Sequence, residues 1–548
     1  MSYDEIIPLL GDFGRYQKRI YFLLCLPAIL CAFHKLGTVF LVADPDYRCM
    51  LPGEPPNASF ILTNETMKAM IPWDKRNNKL SSCEYLDGNE TKSCEGYIFD
   101  HSVYGHTAVI EWQLTCKRAY LIASGNSLFM FGVMVGSIVF GELSDRYGRK
   151  LIFFISLIIQ LVFGTLGAIA PEFWSFSISR FVVGATTSGV FLVAYVIALE
   201  MVGPSMRTLA GTVIHMFFSF GYMLTAALAF YIPEWRSLQL ALTLPGLIFI
   251  CYWFIIPEST RWLVAKNRIT EAKKLVQRAA KVNNVTISDE VLNTHLVPEE
   301  KPAVDLKQAS VLDIFKYPNL RKRSLIIFFD WFANNITYYG LSWNTNNLSG
   351  DPYWNFVISG LVEIPAYSFV LLTLNRWGRK FVMCGCMIVA GIALLFTAIP
   401  QNPQWLVITL AMLGKLSITA SYGAVYIFST EQFPTVIRNA GLGAGSTCAR
   451  LGSIIAPFFN ILSKIWIPMP LIIYGLLAFT GGVLSLTLPE TLNKQLPETI
   501  EEGEAFGKKV KSVPAVPVDV EEIAVLNPTT NNKTDESGEN KIGNGVSS

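Results

Sequence analysis

Charge is scarce in this sequence. Only 16% of its 548 residues are Asp, Glu, Lys or Arg, where a soluble chain carries about a quarter. That shortage excludes a string of water-facing domains. The formal net charge is +2, so the overall balance implies neither a nucleic acid nor another polyanion as partner. Catalytic signatures are missing as well. There is no P-loop pattern, no His-Glu-x-x-His run and no Gly-x-Ser-x-Gly turn, so no enzymatic activity is expected. No cofactor or metal site is expected either, since Cys384 and Cys386 stand isolated from other ligands. The first apolar run follows a polar start and is long enough to span a bilayer, unlike a cleavable signal peptide.

What the sequence does have is apolar runs of spanning length. Ile20–Val42, Leu121–Phe140, Leu151–Ala170 and Leu238–Ile256 are the clearest, and further runs cover 174–199, 209–231, 324–343, 354–374, 381–399, 405–428, 441–463 and 470–488. A helix needs about twenty such residues to cross about 30 Å of hydrocarbon. Lipid offers no partner for free backbone groups, so each span is helical. One buried core helix could imitate one run, but not a dozen. The expectation is an all-α membrane protein of twelve transmembrane helices in two six-helix halves.

Lys and Arg gather at Arg15, Lys18 and Arg19 and in the loops 142–150, 257–323 and 375–380, while the loops near 171, 351 and 402 hold almost none. By the positive-inside rule both termini are cytoplasmic. The chain then divides into a cytoplasmic start (1–19), a first bundle (20–256), a cytoplasmic linker (257–323), a second bundle (324–488) and a mostly disordered tail (489–548). A surface helix is expected from Thr270 to Lys281. The large external loop, 43–118, carries Cys49, Cys83, Cys94 and Cys116 and sequons at Asn57, Asn64 and Asn89, which point to two disulfides and N-glycans. Four cysteines allow three pairings, and sequence does not choose among them. The remaining cysteines read as small core residues.

An internal repeat organises the whole. Asp145-Arg146-Tyr147-Gly148-Arg149-Lys150 returns as Asn375-Arg376-Trp377-Gly378-Arg379-Lys380. Glu200 and Arg207 return as Glu431 and Arg438, and Pro257-Glu258-Ser259 as Pro489-Glu490-Thr491, all at an offset of about 230 residues. Two six-span halves that each begin and end inside are related by an axis along the membrane normal. Gly148 lets the chain turn tightly. Asp145 and the basic residues beside it can pair with neighbouring helix ends and with Glu200, as a lock that parts when that face opens. The same gating role is expected of Arg146, Arg149, Arg207, Arg376, Arg379, Glu431 and Arg438.

The first of these turns resembles the signature of the major facilitator superfamily. Pro257-Glu-Ser-Thr-Arg-Trp-Leu, Glu431-Gln-Phe-Pro-Thr-Val-Ile-Arg-Asn, Val362-Glu-Ile-Pro-Ala-Tyr and the cysteine-bearing first loop are similar to the organic cation, carnitine and organic anion transporter family, solute carrier 22. The resemblance runs from about Phe13 to Glu504. It implies a plasma-membrane carrier of small organic solutes that works by alternating access, with segments such as Tyr339-Gly-Leu-Ser and Arg450-Leu-Gly-Ser-Ile similar to the carnitine branch.

Polar groups within the spans are the candidates for solute contact, because an unpaired charge in lipid costs several kcal/mol. Lys35, Glu363 and Arg450 stand out, with Phe191, His215, Phe218, Tyr222, Trp331, Tyr338 and Tyr339 around them, and His34 nearby. Aromatic faces attract amines, and Glu363 can supply a fixed negative charge. Arg450 can hold a carboxylate through its planar fork. The resemblance itself implies that Trp331, Tyr338, Glu363, His215 and Phe218 line the central cavity. It also implies that Arg450 departs from the strict cation carriers, which have aspartate there, towards the carnitine and anion branches. Organic cations and carnitine-like zwitterions are therefore the expected substrates, with sodium or protons as a coupling ion for the latter. An organic anion exchanger is the alternative within the class, and a non-transporting surface receptor the alternative outside it.

Overall fold

The computed structural model describes residues 5–507 apart from 56–57, 63–64, 75–78, 89, 297–313, 349, 400–402 and 495. The three sequon asparagines, Asn57, Asn64 and Asn89, lie outside the described residues, as does the tail beyond 507.

Among the described residues, nine helical stretches are long and apolar enough to cross a membrane: α1 (Arg15–Leu41), α2 (Cys116–Tyr147), α3 (Arg149–Ala168), α4 (Phe173–Glu200), α5 (Pro204–Tyr231), α6 (Trp235–Phe254), α8 (Pro352–Trp377), α9 (Arg379–Phe396) and α10 (Gln404–Gln432). Three more complete the set: α7 (Pro318–Trp343), α11 (Arg438–Ile461) and α12 (Met469–Ser485). α7 is less apolar because Asp330, Asn334 and Asn335 are buried along it, while α12 is simply shorter. The outer faces carry large apolar side chains such as Ile138, Ile158, Phe220, Leu372 and Phe381, exposed where a soluble protein would place charge. Tryptophans ring both ends of the bundle. Trp174, Trp354, Trp405 and Trp466 sit on the side of the 43–118 loop, and Trp253 and Trp377 on the opposite side, the arrangement favoured at lipid headgroups. Cys251 belongs to this exposed surface and not to the core.

The repeat is visible atom by atom. α2 and α3 meet at Gly148, whose φ of +111° is open to glycine alone. The Glu258 carboxylate caps the new helix by accepting the Arg149 N–H at 2.9 Å and the Lys150 N–H at 3.2 Å. α8 and α9 meet at Gly378, φ +97°, and Glu490 accepts the Arg379 N–H at 3.0 Å and the Lys380 N–H at 3.1 Å.

Two of the spans are broken, and the breaks position side chains. α1 is interrupted at Leu26, before Pro27, and again at Gly37. α8 stops at Leu361 and restarts at Glu363, which puts that residue in the first turn of a new helix, where the dipole favours an acid.

Outside the spans, the described residues of the 43–118 loop hold three two-stranded antiparallel sheets, including Tyr47–Cys49 with Tyr97–Phe99. Disulfides join Cys49 to Cys94 and Cys83 to Cys116. The linker helix runs Ile269–Asn283. It is docked as well as surface-lying: Ala272, Val276, Ala279 and Ala280 are buried, and Asn283 accepts the Tyr16 N–H at 2.8 Å. Disorder does not extend over all of 489–548, because Ile500–Ala505 forms a helix capped by Thr499. The Arg323 guanidinium donates to the Gly503 carbonyl, and Glu504 accepts the Leu320 N–H at 2.8 Å. These contacts hold the segment against the start of α7.

The apolar core shows which side is shut. One cluster runs from the first half into the loop-side part of the second, through Tyr338, Phe356, Leu471 and Tyr474. The opposite end of the second half, with Leu320, Phe328, Val370, Phe428 and Phe433, forms a cluster of its own.

Candidate functional site

Where the halves meet at mid-depth, Glu363 is fully buried. One carboxylate oxygen lies 3.1 Å from the Lys415 ammonium of α10, and the other accepts the Ser219 hydroxyl of α5 at 2.7 Å. The second contact crosses between halves. The ammonium also donates to the Ser342 hydroxyl at 2.5 Å and stands 3.4 Å from the centroid of the Tyr338 ring, with the Tyr222 ring at 5.6 Å. Tyr222 shares a 2.9 Å hydrogen bond with Ser359, again across the halves. A carboxylate walled by tyrosine faces has the chemistry to hold an ammonium, here that of Lys415.

A second set of groups belongs to Arg450 on α11, which sits among Tyr339, Tyr422 and Tyr426. Tyr422 stacks on Tyr338 at 5.8 Å and accepts the Asn335 amide at 3.0 Å. Trp331 packs edge-on to Tyr426 at 4.4 Å and donates to the Ser429 hydroxyl at 2.9 Å. Trp331 and Tyr426, with Thr430, Leu442, Gly443 and Ser446, wall a cavity of about 400 Å³. Lys35 lies over Phe191 and Phe218, 5.3 and 5.7 Å from their centroids. His215 is tied to the Gly211 carbonyl at 2.7 Å, and its ring faces Phe191 and Tyr367. Lys35, Phe191, His215, Phe218, Tyr222, Trp331, Tyr338, Tyr339, Glu363 and Arg450 thus gather around one region. His34 turns away from it into the first half, where its carbonyl accepts from Arg180. Lys415, Ser219, Tyr367, Tyr422 and Tyr426 complete the region and lie beyond the residues expected from sequence. For Lys415 the signal was present, a lone charge inside the 405–428 run.

Above this region the halves are joined on the side of the 43–118 loop. Phe40 stacks on Tyr353 at 5.2 Å, Asn346 donates to the Val39 carbonyl at 2.8 Å, and Lys464 pairs with Asp44 at 2.7 Å. Ser127 donates to the Ile454 carbonyl at 2.6 Å. On the opposite side Arg149 and Arg379 pair with acids of their own halves. Arg149 pairs with Asp145 at 2.6 Å and reaches Glu200 at 3.6 Å. In the second half Asn375 replaces the aspartate, and Arg379 moves onto Glu431 at 3.1 Å, which also accepts the Thr491 hydroxyl at 2.5 Å. Arg146 and Arg376 are exposed, while Arg207 and Arg438 are half-buried at the starts of α5 and α11.

Twelve spanning helices in two repeated sets, with charged and aromatic groups enclosed where the sets meet, define a major facilitator transporter, a multi-pass membrane protein and not an enzyme. The sugar (and other) transporter family matches residues 73–502. An organic cation transporter protein of Drosophila melanogaster is 56% identical over 527 residues, spanning 93% of this chain and 96% of its own. Organic cation/carnitine transporter 2 of Homo sapiens is 34% identical over 526 residues, spanning 91% and 94%. The inward-open xylose transporter XylE from E. coli shares the fold, with a TM-score of 0.59 at 15% identity over 89% of this chain and 99% of that one. The chain belongs to solute carrier family 22, within the major facilitator superfamily.

Proposed function

We propose that the protein carries small organic cations and carnitine-like zwitterions across the plasma membrane by alternating access, with both termini in the cytoplasm. The observation that carries this reading is the ammonium of Lys415 against Glu363 and the Tyr338 ring. It makes the contacts a substrate amine would make, so the pocket is already cut for a cation. Arg450, among its tyrosines, supplies the fork that would take a carnitine-like carboxylate. The Drosophila organic cation transporter and the human organic cation/carnitine transporter 2, as relatives, support both halves of the substrate class. With the loop side sealed and the basic loops inside, the cavity faces the cytoplasm, and the Arg149 and Arg379 clusters are the gating elements that rearrange when the loop side opens. Membrane potential supplies about 2.3 kcal/mol per charge per 100 mV to an entering cation. A zwitterion gains nothing from it, so accumulating one requires a coupled sodium ion or proton.

A second reading, organic anion exchange, is favoured by the count of charges: among the described residues of this region Lys35, Lys415 and Arg450 outnumber the one acid, Glu363. Uptake of labelled tetraethylammonium, carnitine and benzoate by cells expressing the chain separates the two. Saturable uptake of the first two is expected. Benzoate uptake without either would reject the proposal.

A further inference from the structure

Arg180 is a permanent cation sealed inside the first half. It lies on α4 and is only 3% exposed. One terminal nitrogen, Nη2, donates to the His34 carbonyl of α1 at 3.1 Å, the Phe129 ring of α2 lies 4.4 Å from the guanidinium carbon, and Nη1 has no partner. No carboxylate forms a salt bridge with it among the described residues. A buried acid or lysine can become neutral by moving a proton, but a guanidinium cannot. Its charge in a lipid-embedded bundle therefore needs a counter-charge.

Other unsatisfied groups lie on the same two helices. Both ring nitrogens of His34 and the Thr38 hydroxyl on α1, and the Ser177 hydroxyl on α4, are buried without a hydrogen-bond partner. Ser177 precedes Arg180 by three residues and shares its face of α4, and Thr38 follows His34 by four across the break at Gly37, whose φ of −59° and ψ of −20° keep the backbone close to helical. Those helices pack on each other. A guanidinium edge, an imidazole N–H and two hydroxyls are all able to donate. One water accepts two such bonds and leaves the charge uncompensated, whereas a halide accepts more and cancels it.

We propose that Arg180, with His34, Thr38 and Ser177, binds a small inorganic anion of chloride type between α1 and α4. The site is separate from the transport cavity, because Lys35, the next residue of α1, turns towards Phe191 and Phe218. The anion clamps α1 to α4 within the first half, so the carrier needs it as a structural ion while moving other solutes.

Binding of radioactive chloride to the purified full-length protein in a sodium gluconate background tests this. The expected result is one saturable site per chain, displaced by bromide and lost in Arg180→Gln. Thr38→Val combined with Ser177→Ala should weaken it on the order of tenfold, by loss of two bonds to the ion. Binding should persist in Arg450→Ala, which strips a cation from the transport cavity. Absence of saturable chloride binding, its survival in Arg180→Gln, or its loss in Arg450→Ala overturns the proposal. If Arg180→Gln does not fold, an unchanged affinity in the Thr38/Ser177 variant overturns it instead.

Discussion

The carboxylate of Glu363 and the ammonium of Lys415 lie 3.1 Å apart with side-chain exposures of 0% and 1%. Removing one partner of such a pair strands the other charge, which costs about 3–5 kcal/mol, while removing both is often neutral. Lys415→Met should therefore lower the thermal unfolding midpoint sharply, and adding Glu363→Gln should recover most of the loss. Tetraethylammonium uptake should fall at least tenfold in Glu363→Gln and stay low in the double variant. Equal destabilisation of single and double variants would show that the two charges do not support each other.

Arg450 differs from Glu363 in having tyrosines, not an acid, around it. A substrate carboxylate can therefore reach it without first displacing a counter-charge. Arg450→Ala should raise KM for carnitine by tenfold or more, the loss of a charge-assisted bidentate contact, while KM for tetraethylammonium changes less than threefold. Parallel loss of both substrates in the uptake assay would argue that Arg450 holds the bundle together instead.

The spans were legible because lipid imposes a length and an apolar composition on each of them, and the repeat was legible because Gly148 and Gly378 fill a backbone conformation closed to other residues. Side-chain partnerships were less so. Lys35, Glu363 and Arg450 stand out in the sequence as intramembrane charges, yet Lys415, Arg180 and Asp330 obey the same rule and lie hidden inside apolar runs. The break before Glu363 does carry a signal, since Pro365 has no N–H to give the Leu361 carbonyl four residues earlier and Gly360 stands beside it. The pairing of Cys49 with Cys94 and Cys83 with Cys116 depends on how three small sheets fold, which spacing does not encode. Ile500–Ala505 is short and polar, and it is held by Arg323, nearly 180 residues away in the chain.

The two inter-helix turns should respond alike. A Cβ at Gly148 would stand 2.6 Å from a Glu258 carboxylate oxygen, and one at Gly378 2.5 Å from that of Glu490, at φ of +111° and +97°. Alanine at either position should cost about 1–3 kcal/mol of backbone strain. Surface abundance and unfolding temperature should fall together in Gly148→Ala and Gly378→Ala. Adding Glu258→Ala to the first should not restore stability, because the clash would be relieved but the strain and the lost helix cap would remain. Full recovery in that double variant would mean the carboxylate, and not the turn, sets the requirement.

At the loop side Glu111 accepts from Arg236 at 2.5 Å and from the Trp235 indole at 2.8 Å. Burial pushes its carboxyl upward, but the Arg236 and Trp235 donors and the Arg236 charge outweigh it and hold the group below the usual carboxylate range. A carboxyl depressed in the folded state adds stability above its unfolded pKa of about 4.3, and that stability disappears as pH falls through the lower folded value. The pair is partly exposed, so the contribution is about 1 kcal/mol. Glu111→Gln should therefore unfold at a lower temperature than the wild type at pH 7. The gap should narrow steadily below about pH 4 as the wild-type carboxyl takes up its proton. Unfolding midpoints of both proteins across that range decide the matter, and a gap independent of pH would assign the loss to hydrogen-bond geometry instead of charge.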